Sequence, residues 1–264
     1  MIFVTRKKEK QIKVSNMETK IKNRLHEIAE IEGISILFAC ESGSRGWGFP
    51  STDSDYDVRF FYIRKPSDYS SVFPLETELR YPITGELDIS GWDLIKVLTL
   101  LYKSNVSPFE WIQSPIVYHE TSGFKEGFLP LIEDYFSARR QAHHYLGIVR
   151  SKISDLCGET IRLKTLFYIL RSLLAVEWCI THRSYAPMAL ADLSGLMPEG
   201  IRTEVAKLVQ LKSEVDEGFN FSCPAIIKDY LEERFNHLEY EVHDLPMVKL
   251  HKEGLEDYFK TILK

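Results

Sequence analysis

A chain of 264 residues with 44% apolar and 27% charged side chains has the makeup of a globular protein able to bury a real core, which excludes the disordered and fibrous classes. Its net charge of -5 argues against nucleic-acid binding by the whole surface, and no apolar run approaches the roughly 18 residues that a membrane span requires. The expectation is a cytoplasmic protein whose four cysteines, at 40, 157, 179 and 223, form no Cys-x-x-Cys pair and are buried free thiols.

Between residues 6 and 24 stand eight basic and two acidic side chains. Residues 1–16 read as a basic arm, solvated or frayed, with no interleaved aromatic to stack on bases. Such an arm permits an RNA acceptor without demanding one. Met1 and Met17 both remain candidate starts, because the periodic pattern begins near Met17. Over 17–32, Ile21, Leu25, Ile28 and Ile31 recur at helical spacing.

Behind Gly33 the run "ISILFACE" (34–41) reads as a buried strand, and "DYDVRFFYI" (55–63) as a second, rich in aromatic and β-branched residues. Prolines and serines mark a loop from 66 to 74. "ITGELDIS" (83–90) then reads as a third strand, with Ser90 as the N-cap of a helix over 91–104. Beyond about residue 125 the helical pattern takes over, notably at 159–182 and 201–218, with a connecting loop expected over 183–200. The expectation is an α+β chain: a basic arm (1–16), an α/β domain (17–125) and an all-helical domain (126–264).

Alternation along a strand points Asp55 and Asp57 to one face, where they repel unless a cation sits between them. Carboxylate oxygens suit magnesium or manganese, and no His or Cys stands nearby to favour zinc. Gly43 and Ser44 follow the first strand, where a tight turn brings backbone N–H groups close to an anion such as phosphate. Asp88, on the third strand, would join the pair if the strands are neighbours; Glu86 shares its face. Three carboxylates and two metal ions would then support in-line displacement at phosphorus. The stretch "DSDYD" also resembles the start of an EF-hand loop, but Val58 and Arg64 stand where its Gly and Glu belong. A structural alternative makes Asp53 and Ser54 turn residues and Asp55 a strand-end cap.

These residues resemble the nucleotidyltransferase superfamily related to DNA polymerase beta, whose signature is an apolar strand, Gly-Gly or Gly-Ser, then Asp-x-Asp or Asp-x-Glu on the next strand. Within it, "ESGSRGWGFPSTDSDYDVRFFYI", "LDISGWDLIKVLTLLYKSN", "EWIQSPIVY" and "RLKTLFYILRSLLAVEW" are similar to the bacterial and phage nucleotidyltransferases of the YcgL or RlaP type, associated with RNA repair. The likeness covers roughly residues 34–215. It implies a minimal polymerase-beta-like domain with metal on Asp55 and Asp57, a third carboxylate at Asp88, and nucleotide phosphates near Gly43 and Ser44.

On the helix at 159–182, Lys164, Tyr168 and Arg171 form a stripe about 10 Å long that suits a triphosphate tail or, alternatively, a solvated face. Arg45 beside the turn reads as a phosphate contact or as an ion-pair partner of Glu41 or Asp53. Arg139 with His143 and His144, and Cys179 with His182, match RNase-like and zinc patterns only weakly and read as packing residues. Trp47 is the tryptophan placed at the turn. The expected activity is transfer of a nucleoside monophosphate from an NTP to a hydroxyl, with Asp88 helping to deprotonate an acceptor that is an RNA end or a protein. A nucleotide sensor without turnover and an antitoxin-like enzyme that modifies a partner protein are the alternatives; oligomeric state is not legible.

Overall fold

The computed structural model describes residues 2–264, with side chains from residue 15 onward. Met1 as a start, and the side chains of the basic stretch up to residue 14, lie outside the described residues. The backbone there belongs to α1 (Ile2–Glu32), so the proposed arm and the amphipathic helix are one element. Ile21, Leu25 and Ile28 are buried, whereas Ile31 is exposed. At 100° per residue Ile31 lies roughly 90° from the centre of that apolar stripe. Gly33, at φ +62°, takes the left-handed conformation that ends the helix.

Beyond it come β1 (Ser35–Glu41), the single turn α2 (Gly43–Gly46), β2 (Tyr56–Ile63), β3 (Glu78–Arg80), β4 (Leu87–Asp93), α3 (Leu94–Tyr102), α4 (Val106–Ile112), β5 (Val117–Glu120) and α5 (Phe124–Asp134). The helical half contains α6 (Ala138–Arg150), β6 (Ile161–Arg162), α7 (Leu163–His182), α8 (Leu190–Leu193), α9 (Glu199–Lys212), β7 (Asn220–Phe221), α10 (Ala225–Glu241) and α11 (Glu253–Ile262). The fold is α+β, as expected. Among the described residues no helix is long and apolar enough to cross a membrane.

The five-stranded sheet has the order β3-β4-β2-β1-β5. Strand β1 runs antiparallel to β2 and β5, and β2 runs parallel to β4. Alternation gives each face its own core. Val58, Phe60, Ile89 and Tyr62 pack with Ile21, Leu25 and Ile28 of α1. On the other face Phe38, Phe61 and Ile63 pack with α3, α4 and α5, and with Leu255 of α11. The chain's last helix therefore returns to the sheet, and α5 and α11, placed by sequence with the helical half, share the sheet's core. A third core joins α6, α7, α9 and α10.

The third strand starts and ends later than its sequence pattern. Residues 83–86 form a turn closed by Thr84 and Leu87, and Ser90 stays in the sheet opposite Arg80 of β3. The cap of α3 is Asp93, whose carboxylate accepts from Ile95 N at 2.9 Å. In the expected loop over 183–200, α8 forms because Met188, Leu190, Leu193 and Met197 are buried.

Candidate active site

The site begins where β1 ends. Gly43 has φ +58°, and a Cβ there would stand 2.0 Å from Asp57 Oδ2, so only glycine fits both the turn and the carboxylate beside it. Main-chain bonds fix Asp57 from that side: Ser42 N donates to Asp57 O at 2.8 Å, and Asp57 N donates to Glu41 Oε1 at 2.9 Å. The other oxygen of Glu41 accepts from Tyr118 OH at 2.5 Å.

Along β2, Tyr56, Val58 and Phe60 are buried while Asp55, Asp57 and Arg59 alternate to the half-open face. In the parallel register Asp57 lies opposite Asp88, which settles the choice between Asp88 and Glu86 as its cross-strand neighbour. Arg59 bridges the two carboxylates, with Nη2 3.1 Å from Asp57 Oδ1 and 2.7 Å from Asp88 Oδ2. Its Nη1 donates to the carbonyls of Val58 and Asp88. Burial raises the Asp57 pKa; Arg59 opposes the rise, and the charges of Asp88 and Asp55 add to it.

Burial also pushes Glu41 up to about 7, against the hydrogen bonds from Tyr118 and the Asp57 amide that favour its charged form. The folded state thus holds a proton on Glu41 that the unfolded chain releases from its ordinary value of 4.5. Stability falls as pH rises between those two values, at about 1.4 kcal/mol per unit. Glu41→Gln, which carries no titrating proton, is expected to become more stable than the parent over that window by on the order of 3 kcal/mol. Urea unfolding at a series of pH values checks this; a pH-independent difference between the two proteins would refute it.

The turn itself is tied to the helical half. Ser44 Oγ donates to Ser54 Oγ at 3.1 Å, and Ser54 Oγ donates to Glu217 Oε1 at 3.0 Å. Arg45 does not face outward: Nε and Nη2 donate to the carbonyls of Asp55 and Ser54 at 3.1 and 2.7 Å, and its guanidinium lies 3.9 Å from the Tyr56 ring centroid. Arg45 shapes the loop that delivers Asp55, a role its sequence position did not disclose.

The stripe on α7 is divided. Lys164 pairs with Glu217, and its charge acts on Asp57. Tyr168 packs edge-on against Trp47 with ring centroids 5.1 Å apart. Arg171 turns inward, where it pairs with Glu110 at 2.9 Å, donates from Nε to Met188 O at 3.0 Å and covers the Trp47 ring. Lys164 is therefore the member of the stripe turned toward the carboxylates, Tyr168 stands between, and Arg171 turns away.

The weaker sequence matches resolve as packing. Arg139 donates to the carbonyls of His243 and Leu245, and the ring of His143 meets that of His243. Cys179 is fully buried, while His182 stacks on Trp178 at 3.9 Å.

A family model named RlaP, described as the RNA repair pathway DNA polymerase beta family, matches residues 17–261. The chain belongs to the RlaP family. It is also 38% identical over 207 residues to the uncharacterized protein YcgL of Bacillus subtilis (strain 168), covering 76% of this chain and 78% of that protein. A solved nucleotidyltransferase-like protein from Exiguobacterium sibiricum 255-15 aligns over 93% of this chain and 79% of its own, at 10% identity and a TM-score of 0.32.

In this member of the RlaP family the donor chemistry fits a hard divalent cation, since Asp55, Asp57 and Asp88 offer only oxygen. Among the described residues, however, no three His, Cys, Asp or Glu side chains form a group that could hold a metal ion. Arg59 supplies the positive charge between Asp57 and Asp88 instead, so a cation bound by both must compete with the guanidinium or share the oxygens it leaves. Arg59 stands two residues beyond Asp57 and so on the same strand face, the one local signal for its role. Glu217 carried no local signal, because it reaches Ser54 across 163 residues.

Proposed function

We propose that the chain is a magnesium- or manganese-dependent nucleotidyltransferase that moves a nucleoside monophosphate from an NTP to the hydroxyl of an RNA end. The observation that carries this reading is the register of β2 and β4, which sets Asp57 opposite Asp88 beside a glycine turn that admits nothing larger. Asp55, Asp57 and Asp88 would hold the metal. Bound there, it would offset charge on the phosphates and make the acceptor hydroxyl more acidic.

The chain's own groups have distinct tasks in this reading. Asp88 takes the acceptor's proton as the acceptor oxygen bonds to the α-phosphorus; the bond from that phosphorus to the β-phosphate bridge breaks, and pyrophosphate leaves. Lys164 offers a cation to the phosphates at the mouth of the cleft, and the Gly43-Ser44 turn lies where they enter. Arg59 holds Asp57 and Asp88 in register until the substrate complex needs their oxygens.

Label transfer tests this. With RNA ends, magnesium and the protein, an NTP labelled at the α-phosphate should mark the acceptor, whereas one labelled at the γ-phosphate should not. Label on the protein or a protein partner instead of RNA would favour the antitoxin-like alternative. The bridging guanidinium favours a second reading, a nucleotide sensor, because Arg59 neutralises the carboxylates without any metal. Tight NTP binding without label transfer to any acceptor would replace the first reading with the second.

A further inference from the structure

Behind the Gly-Ser turn lies a cavity of about 210 Å³ between α4, α6 and α7, bordered by Ser42, Trp47, Glu110, Tyr145, Tyr168 and Arg171. Its walls are aromatic, and its floor is a buried ion pair. Glu110 is well held, accepting from Tyr145 OH at 2.8 Å and from Trp47 Nε1 at 3.4 Å while it pairs with Arg171. Arg171 is not: at 3% exposure its Nη2 lies 2.9 Å from Glu110 Oε1 yet makes no hydrogen bond. Nη2 is thus held by the charge of Glu110 off the line of a hydrogen bond, so a group that accepts from it in line would be bound with advantage.

We propose that this cavity is the base subsite of the nucleotide, and that Arg171 reads guanine. The inference rests on the nucleotide reading of the neighbouring carboxylates. Lys164 and Arg171 are seven residues apart on α7, about 10 Å along its axis, with Tyr168 between them. One end of that line faces Asp57 and the other forms the cavity floor, so phosphates at the first end put the base at the second. A planar heterocycle finds indole and phenol rings to pack against. At its edge it meets a guanidinium fork, which suits the adjacent O6 and N7 acceptors of guanine, whereas adenine presents an amino donor at the corresponding place. Arg171 thereby moves from the triphosphate role its helical spacing suggested to recognition of the base.

The test is equilibrium binding of GTP, ATP, UTP, CTP and phosphate-free guanosine to the full chain, repeated with Arg171→Lys, which keeps a cation beside Glu110 but removes the fork. GTP is expected to bind at least roughly tenfold more tightly than ATP, and Arg171→Lys to erase that preference with little effect on ATP. Guanosine alone should compete with GTP. An unchanged melting temperature shows that the variant is folded; if it is not, guanosine competition with the parent chain decides. Equal affinity for the four NTPs, with label transfer intact, would overturn the base subsite and leave the transfer reading standing. Guanosine competition without label transfer to any acceptor would do the reverse.

Discussion

Asp57→Asn is expected to lower nucleotidyl transfer by on the order of a thousandfold while leaving the protein at least as stable as its parent. The two halves of this result have one cause. Asp57 is half-buried, its carboxyl is raised by burial, and the charges of Asp55 and Asp88 add to the rise. The folded state therefore holds this proton more tightly than the unfolded chain does, and carrying the charge costs stability above the group's ordinary value of 3.8. Asparagine has nearly the same shape without the charge. It removes that cost and still offers an oxygen to Arg59, which also keeps Asp88 Oδ2 at 2.7 Å and the carbonyls of Val58 and Asp88. The stability gain should appear above about pH 4, grow while only the unfolded chain's carboxyl is ionised, and level off once Asp57 ionises in the folded protein too. α-Phosphate label transfer and urea unfolding, measured on the same preparations, check both halves. Transfer within tenfold of the parent would remove Asp57 from the reacting centre; lost transfer with lost stability would mean the substitution had disturbed the turn at Gly43.

What the sequence disclosed follows the range of the interactions involved. The carboxylate face was legible because a period of two depends only on neighbouring positions, and Asp55, Asp57 and Arg59 do alternate outward between buried Tyr56, Val58 and Phe60. The glycine turn was legible for the same reason. That Asp88 meets Asp57 was an expectation about pairing, which the parallel register of β2 and β4 fulfils. Strand β3 was not legible: three residues beside a Pro- and Ser-rich loop carry too little pattern, yet its pairing keeps Ser90 in the sheet and passes the helix cap to Asp93. Side-chain direction on α7 was the other blind spot. Helical spacing put Lys164, Tyr168 and Arg171 on one stripe, but Glu110, 61 positions before Arg171, draws the guanidinium inward, and local sequence holds no trace of that partner.

Breaking that pair should produce the largest loss of stability. Glu110→Ala leaves the Arg171 guanidinium buried without its counter-charge and removes the acceptor shared by Tyr145 OH and Trp47 Nε1, for an expected cost of about 3–5 kcal/mol. Replacing both partners at once, as Glu110→Leu with Arg171→Met, removes the charge that the single variant strands, and similar side-chain volumes keep the cavity walls near their places. The double variant should therefore recover the part of the loss that comes from the stranded charge, while Tyr145 OH and Trp47 Nε1 stay without their acceptor, and a double-mutant cycle of urea midpoints isolates the coupling. A single variant within about 1 kcal/mol of the parent would show that Arg171 finds water or another acceptor, which its burial opposes. The recovered double variant then separates two duties that one ion pair combines. Because replacing a buried pair with apolar groups is often neutral, stability alone gives weak reason for the charges to be there. If the double variant folds as well as its parent and yet binds GTP no better than ATP, the charges serve the ligand, and the fold merely tolerates them.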